Sequence, residues 1–325
     1  MKQVRLGGSN WQASSVALGI MRMNVLAPDK AANVLDSAYN DGINFIDSAD
    51  IYGQGKSEEV FGEALKQASV SRDQLFIQSK VGIVVDPKRS HGSLVFGKRY
   101  DFSKDHLLSA VDHILKRLQV DYLDSVLLHR PDPLMEVDDV AAAFDALEQS
   151  GKVRHFGVSN FNPEQIALLE SGIRQPLLID QVQFSVAHTG MVNAGMHTNM
   201  ADAASVDHDG SLLPYLQRKH MTLQAWSPFQ YGMFEGTFID SPKFKALNDE
   251  LQKVADHYHT NKNAIAVAWL LRHPVGVQVI LGSMNPEHIK ESAEGADITL
   301  TRQEWYDILN FQIKCNDDNE FLIVV

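Results

Sequence analysis

Residues 28–47, PDKAANVLDSAYNDGINFID, join an amphipathic helix to a short apolar strand. The apolar positions of the first part recur every three or four residues, at Ala31, Val34, Leu35, Ala38 and Tyr39. That spacing places them on one face of a helix. Gly42 follows as a helix stop, and residues 44–47 have the apolar character of a strand buried in a parallel sheet. The segment predicts one helix-to-strand step of an α/β fold.

The same step recurs along nearly the whole chain, because short runs rich in Val, Ile and Phe alternate with amphipathic stretches. The eight runs are residues 16–20, 44–47, 75–80, 125–129, 155–159, 179–184, 222–227 and 277–281. Eight parallel strands with helices between them can close without leaving an edge. Residues 1–14, with Gly7-Gly8-Ser9-Asn10 in the middle, have the pattern of a hairpin. We therefore expect a (β/α)8 TIM barrel preceded by an N-terminal β-hairpin, with residues 1–325 forming a single domain.

Composition restricts the classes of partner. The chain is 44% apolar and 22% charged, as globular proteins are, and its apolar runs are too short to cross a bilayer. Its formal charge of -12 disfavours nucleic acid and anionic membrane as partners but not a small ligand. The first seven residues lack the apolar core of a signal peptide, and the lone Cys315 has no partner for an internal disulfide. These features predict a cytoplasmic protein.

Two long segments interrupt the alternation, residues 82–100 after the third run and residues 185–209 after the sixth. Loops that follow barrel strands line the active-site face, so both segments are expected there. The second contains His188, His197 and His208 among several aspartates. Their separations fit no compact ligand pattern, and we predict a solvated polar loop rather than a metal site.

Reactive side chains stand at the ends of several predicted strands, and these ends converge at the mouth of a barrel. Asp47, Lys80 and His129 end the second, third and fourth runs, and Tyr52 follows Asp47 in a glycine-rich turn. A phenol with a pKa of about 10 gives up its proton more readily beside an ammonium, so Lys80 is expected to lower the pKa of Tyr52. Asp47 would keep Lys80 charged, and His129 would hydrogen-bond the substrate oxygen or the phenol.

Each of these side chains also has a purely structural interpretation. Tyr52 can be a packed surface aromatic, Asp47 and Lys80 an ordinary ion pair, and His129 a core histidine. A lysine at a barrel strand end can also form a Schiff base, which would make the chain a lyase that uses Lys80. The prediction that all four side chains lie at one end of one barrel favours the catalytic interpretation.

Several motifs are specific: Asp47-Ser48-Ala49-Asp50-Ile51-Tyr52-Gly53, Gln78-Ser79-Lys80, Leu127-Leu128-His129, Gly157-Val158-Ser159-Asn160-Phe161 and Gln181-Val182-Gln183. With them, the chain from Leu6 to Asp307 resembles the aldo-keto reductases, and Tyr100-Asp101-Phe102-Ser103 resembles a bacterial branch of oxidoreductases within that family. The resemblance implies that Asp47, Tyr52, Lys80 and His129 form a catalytic tetrad with Tyr52 as general acid. It implies reduction of a small-molecule aldehyde or ketone to an alcohol by NAD(P)H.

The resemblance also implies a nicotinamide dinucleotide site. Ser159, Asn160 and Gln181 would hydrogen-bond the carboxamide, and Trp226 would stack on the nicotinamide ring where the family often has tyrosine. The remaining expected cofactor contacts are Ser227, Phe229, Gly282, Ser283, Asn285, His288, Glu291 and Ser292.

The segment that is expected to bind the adenosine end of the cofactor departs from the family pattern. Members that prefer NADPH commonly have a basic residue where this chain has Gly282 and an arginine where it has His288. The permanent charge for a 2′-phosphate is thus missing, although Ser283 and helix-start amides can still bind phosphate. We expect NADP(H), with NAD(H) as the alternative.

A non-enzymatic function remains compatible with the same residues. Some proteins that resemble this family bind the cofactor as redox-sensing partner subunits without significant turnover, and an intact tetrad does not distinguish them. Turnover with carbonyl compounds is the discriminating observation. Substrate identity, reaction direction and oligomeric state are not set by these motifs.

Overall fold

The structure is a computed structural model that describes residues 1–86, 88 and 98–316, with side chains through Phe311. Eight parallel strands form a closed barrel: β3 Val16–Gly19, β4 Phe45–Asp47, β5 Phe76–Val81, β8 Leu123–Leu128, β9 Val153–Ser159, β10 Leu177–Gln183, β11 Thr222–Trp226 and β12 Val277–Leu281. Their order around the barrel is β10-β11-β12-β3-β4-β5-β8-β9. The predicted TIM barrel is confirmed, and each predicted run coincides with one barrel strand.

Helices pack around the outside of the barrel with their apolar faces inward. Their bounds are α1 Pro28–Asn40, α2 Lys56–Leu65, α3 Lys104–Leu118, α4 Val137–Gln149, α5 Pro163–Glu170, α6 Gly190–Met196, α7 Leu212–Lys219, α8 Lys245–His257, α9 Lys262–Leu271, α10 Pro286–Ala293 and α11 Arg302–Asn316. Asn162 caps α5 by accepting the backbone N–H of Gln165 at 2.9 Å. Just before α3, the Ser103 hydroxyl donates to Asp101, 2.7 Å away.

The predicted N-terminal hairpin is present and closes the end of the barrel opposite the mouth. Its strands, β1 Gln3–Arg5 and β2 Gln12–Ser14, pair antiparallel. Between them, Gly7 donates its backbone N–H to Thr222, the first residue of β11, at 3.0 Å. Gly7 has a φ of 54°, and a Cβ there would lie 2.4 Å from the Cα of Leu178. Only glycine fits this approach of the hairpin to the barrel floor.

The two long segments both follow strand ends, as expected. In the first, β6 Ile83–Val84 pairs with β7 Arg99–Tyr100, while residues 87 and 89–97 of that predicted loop lie outside the described residues. The second contains the short helix α6, which its polar composition did not predict. In the described part of the chain, no helix combines the length and apolar character that a bilayer span requires.

Candidate active site

A cavity of about 1180 Å³ opens at the carboxyl ends of the barrel strands. Asp47, Tyr52 and His129 line it, and Lys80 lies just beneath its floor with 1% of its surface exposed. The predicted cofactor residues also line this cavity: Ser159, Asn160, Gln181, Trp226, Ser227, Phe229, Gly282, Ser283, Asn285, His288, Glu291 and Ser292. The barrel therefore brings residues from distant parts of the chain to one opening.

Lys80 is the centre of the polar cluster on the cavity floor. Its ammonium donates to both carboxylate oxygens of Asp47 at 2.8 Å and to the Ser48 carbonyl at 2.6 Å. It also donates to the Tyr52 hydroxyl at 3.3 Å. Parallel pairing sets these neighbours, because β4 and β5 lie side by side with Asp47 opposite Gln78. The four contacts orient the amine toward the phenol.

Tyr52 reaches the mouth because the chain turns sharply after it. Gly53, Gln54 and Gly55 all have positive φ values, 57°, 57° and 90°, so the backbone reverses before α2 begins at Lys56. Two of these three positions are glycines, which adopt such conformations at little cost. A Cβ on Gly53 would lie 2.8 Å from the Cβ of Asn24, so the turn also packs closely against its neighbour.

The electrostatics of Tyr52 differ in one respect from the sequence-based expectation. Burial raises the pKa of the Tyr52 phenol, the Asp47 and Asp50 carboxylates raise it further, and the Lys80 charge lowers it. The net direction is upward, because desolvation of the phenolate outweighs the attraction of the ammonium. Tyr52 is thus protonated at neutral pH, which is the state that a proton donor needs.

Lys80 is charged, whereas His129 is neutral. Burial lowers the pKa of Lys80, but the Asp47 carboxylate and Tyr52 raise it more, so the pKa lies above its usual value and the amine is charged. Burial, together with the positive charges of Lys80 and Arg130, holds the pKa of His129 well below its usual value. The imidazole is therefore neutral, and its ring lies edge-on to Tyr52 with the two centroids 6.1 Å apart.

The side chains expected at the carboxamide form a connected group beside the tetrad. Ser159 donates to the Gln181 carbonyl at 2.8 Å, and Asn160 donates to the Ser159 hydroxyl at 2.8 Å. The Trp226 indole donates to the Asn160 amide oxygen at 3.2 Å. Asn160 has a φ of 62°, a left-handed conformation that asparagine tolerates, and this turns its side chain across the strand end.

A buried glutamine network, which the sequence reasoning missed, supports this group from below. Gln78 and Gln181 each donate to Asp47 Oδ1, at 2.8 and 2.9 Å, and each donates to Gln224 Oε1 at 2.8 Å. Gln224 donates to Gln278 at 2.7 Å, and Gln278 donates to the Ser14 carbonyl at 2.7 Å. Glutamines inside otherwise apolar strands are the sequence signal that could have revealed it.

This network sets the orientation of the Gln181 side chain. Both N–H groups of its amide are used by Asp47 and Gln224. Its Oε1 atom accepts no hydrogen bond from any residue in the described ranges. Gln181 therefore presents an acceptor, which suits the N–H of a primary carboxamide.

The other end of the cavity lies between β12 and α10. Asn285 caps α10 by accepting the N–H of Glu287 at 3.0 Å, and Ser283 accepts the N–H of Asn285 at 3.1 Å. Arg22, which the sequence reasoning did not select, donates to the Gly282 carbonyl at 2.8 Å. A hydroxyl, a helix N-terminus and a guanidinium thus meet where a phosphate would be accommodated.

Comparisons with known proteins agree with this geometry. The model of the aldo/keto reductase family matches residues 15–312. A "6-dehydroglucose reductase" of Agrobacterium fabrum is 32% identical over 93% of this chain and 95% of its own length. "Oxidoreductase YdhF" of Escherichia coli is 37% identical over 82% of each chain.

A solved aldo-keto reductase from Klebsiella pneumoniae in complex with NADPH superposes with a TM-score of 0.74 at 25% identity, over 96% of this chain and 95% of that one. The region matched by the family model, residues 15–312, includes every barrel strand and both ends of the cavity. The chain belongs to the aldo/keto reductase family and is an oxidoreductase of that family.

Proposed function

We propose that this protein reduces an aldehyde or ketone to an alcohol with NAD(P)H, and that Tyr52 donates the proton. The observation that carries the proposal is the placement of the Lys80 ammonium, 3.3 Å from the Tyr52 hydroxyl and 2.8 Å from both oxygens of Asp47. A protonated phenol with a fixed cation behind it can release a proton into the cavity and be stabilised as phenolate.

Each residue of the site has a separate role in the proposed reaction. Tyr52 holds its proton at the hydroxyl and passes it to the substrate oxygen, while Lys80 stabilises the phenolate that remains. His129, being neutral, offers one N–H to the same substrate oxygen and orients the carbonyl. The nicotinamide, when bound, supplies the hydride that reaches the carbonyl carbon. Asp47 keeps Lys80 charged throughout.

The residues present fit a nicotinamide dinucleotide. The Gln181 oxygen is an acceptor directed by the glutamine network, and Ser159 and Asn160 add hydroxyl and amide groups beside it. Trp226 supplies an aromatic plane at the cavity wall. At the other end, Ser283, the α10 N-terminus and Arg22 suit phosphate groups. We propose NADP(H) as the preferred form because Arg22 adds a permanent positive charge there, with NAD(H) as the alternative.

The charged state of Lys80 disfavours the Schiff-base alternative. An amine attacks a carbonyl only when it is deprotonated, and activation requires a lowered pKa. Here the pKa of Lys80 is raised, and the ammonium is held by Asp47, Ser48 and Tyr52 beneath the cavity floor. Borohydride trapping with a carbonyl substrate is expected to leave Lys80 unmodified.

The test of the proposal is turnover. Purified protein with NADPH, and in parallel with NADH, is mixed with a panel of aldehydes and ketones that includes 6-dehydroglucose. Carbonyl-dependent loss of absorbance at the nicotinamide band supports the proposal. Tight cofactor binding without turnover across the panel contradicts it and favours the alternative, a redox-sensing partner subunit. This chain is also similar to a protein named as a subunit, a "Putative voltage-gated potassium channel subunit beta" of Schizosaccharomyces pombe, at 27% identity over 82% of this chain.

A further inference from the structure

Arg130 is a cation in the cavity wall that the proposed reduction does not use. It follows His129 directly at the end of β8, is half-buried, and lines the same cavity as Tyr52. The carbon of its guanidinium lies 5.9 Å from the centre of the Trp226 ring, and one of its nitrogens lies 3.9 Å from the Met233 sulfur. Its charge therefore faces the space next to the reacting groups.

No carboxylate among the described residues neutralises Arg130. The arginines that are paired elsewhere in the fold contact acids closely, as Arg117 does with Glu58 at 2.7 Å and Arg72 with Asp124 at 2.7 Å. In the part of the chain that the structure describes, Arg130 makes a weak contact with the Met233 sulfur and faces the ring of Trp226. Partial removal of a guanidinium from water without an anionic partner raises the free energy of the protein, and an anion bound at Arg130 would offset that cost.

The acidic side chains that line the cavity are already engaged. Asp47 is bound to Lys80, Asp240 is paired with Lys262, and Glu291 accepts a hydrogen bond from Asn263 at 3.0 Å. Lys98 and, at the far end, Arg22 also line the cavity as cations. A local positive site thus persists in a chain whose formal charge is -12.

The barrel order separates Arg130 from the phosphate end of the cofactor site. β8 and β12 are four positions apart in a ring of eight strands, which places them on opposite sides of the barrel. Ser283 and the α10 N-terminus follow β12, whereas Arg130 follows β8. An anion at Arg130 therefore belongs to a different molecule or group from the one held by Ser283.

We propose that the substrate of this enzyme is an oxo acid, a carbonyl compound that carries a carboxylate, and that Arg130 binds the carboxylate. This inference rests on the proposed reduction and names its substrate class. The planar guanidinium can donate two parallel N–H bonds to a carboxylate, and His129 next to it binds the carbonyl oxygen. Recognition of the acid and orientation of the carbonyl are thereby coupled through adjacent residues of one strand end.

The kinetic test compares two aldehydes of similar shape, 4-carboxybenzaldehyde, which carries a carboxylate, and 4-formylbenzamide, which carries a neutral amide in its place. For Arg130→Gln we expect kcat/KM to fall about 10- to 100-fold with the carboxylate, the range for a hydrogen bond to a charged group. With the amide it should change less than about threefold, within the context-dependent scatter of a mutation that removes no contact to substrate. Arg130→Lys should lose less kcat/KM with the carboxylate than Arg130→Gln does, because it keeps the positive charge. Arg218→Gln, on α7 outside the cavity, is the matched control for net charge.

A binding measurement separates this inference from the reduction itself. Benzoate and benzamide are titrated calorimetrically into the cofactor-loaded protein and into its Arg130→Gln variant. Benzoate binding that Arg130→Gln abolishes supports the anion site even if neither aldehyde is turned over, in which case the proposed reduction alone fails. Equal binding of benzoate by both proteins, or equal losses of kcat/KM with the two aldehydes, overturns the oxo-acid proposal.

Discussion

The Lys80 ammonium and the Asp47 carboxylate meet at 2.8 Å through both carboxylate oxygens, with 1% and 3% of their side chains exposed. Neither charge can be compensated by water at this depth. Removal of one partner leaves the other as an uncompensated buried charge, which costs far more than the pair itself contributes. The pair is therefore a structural element of the barrel as well as part of the candidate site.

Substitution Asp47→Asn is expected to lower the free energy of unfolding by about 3–5 kcal/mol, because Lys80 then remains buried without a carboxylate. Chemical denaturation at neutral pH measures it. Asp249→Asn is the control, since Asp249 forms an exposed pair with Lys245, and it should cost less than about 1 kcal/mol. Equal losses of unfolding free energy for the two substitutions would show that the buried pair matters no more to stability than an exposed one.

Substitution Tyr52→Phe removes the proposed proton donor without changing the ring. We expect kcat to fall about 10²- to 10⁴-fold, the usual contribution of a positioned acid. The Kd for NADPH, measured by fluorescence titration, should stay nearly unchanged. Tyr39→Phe is the matched control, because the Tyr39 hydroxyl accepts a hydrogen bond from Gln74 on the outside of the barrel. A Tyr52→Phe enzyme with unaltered kcat would assign the proton to another group.

The pH profile should carry no signature of His129 in the neutral range. Burial and the charges of Lys80 and Arg130 hold the pKa of His129 well below its ordinary 6.5, so the imidazole does not change its charge as pH passes through the neutral range. We expect kcat/KM to lack an inflection near pH 6.5 and to fall only at lower pH, where the ring is protonated. An inflection near 6.5 that disappears in His129→Asn contradicts this.

Asp180 gives a prediction about stability against pH. Burial raises the pKa of Asp180 from 3.8 to about 8, although the backbone groups of Phe161 and Asn160 lower it. Between these two values the folded protein keeps a proton that the unfolded chain has released, so stability falls as pH rises.

Asp180→Asn removes this dependence. We expect the variant to gain stability relative to the parent between pH 5 and pH 8, by about 2–4 kcal/mol across that interval. Urea denaturation at several pH values measures the difference. Asp121→Asn, an exposed position before β8, should give no such trend. A stability difference that does not vary with pH would place the Asp180 pKa elsewhere.

Cofactor preference should respond to His288. An arginine there adds a permanent positive charge to the cavity rim, where the 2′-phosphate of NADPH is expected to lie. His288→Arg should lower the Kd for NADPH about tenfold, as a charge-assisted hydrogen bond does, with little effect on NADH. His113→Arg, on the exposed side of α3, controls for the added charge. A parallel shift for both cofactors would indicate a general charge effect.

Local sequence patterns predicted most of the barrel. Strand β12 was predicted with its observed bounds, Val277–Leu281, because a run of β-branched and apolar residues there has clear turn signals on both sides. The other barrel strands were predicted within two residues at each end. Helix α6 was missed because Gly190–Met196 has no apolar stripe and lies in a polar segment.

The convergence of these side chains at one opening was predictable from the sequence, but their electrostatics were not. Strand ends converge in any barrel, so Asp47, Lys80 and His129 were placed together by topology alone. The rise in the pKa of Tyr52 depends on how deeply the phenol is buried, and no local pattern reports that depth. The glutamine network and the unpaired charge of Arg130 depend on contacts between strands that are distant in sequence.

The hairpin that covers the barrel floor also affects how ligands enter and leave the barrel. Gly7 and Thr222 hold it against the strand starts, and Trp11 packs there on Phe76 with ring centroids 5.0 Å apart. With that end closed, the dinucleotide, the carbonyl compound and the alcohol of the proposed reaction would all pass through the cavity mouth at the other end. In the proposed reaction a fresh dinucleotide can bind only after the used one has left by the same route, so we expect release of the used cofactor to limit the rate.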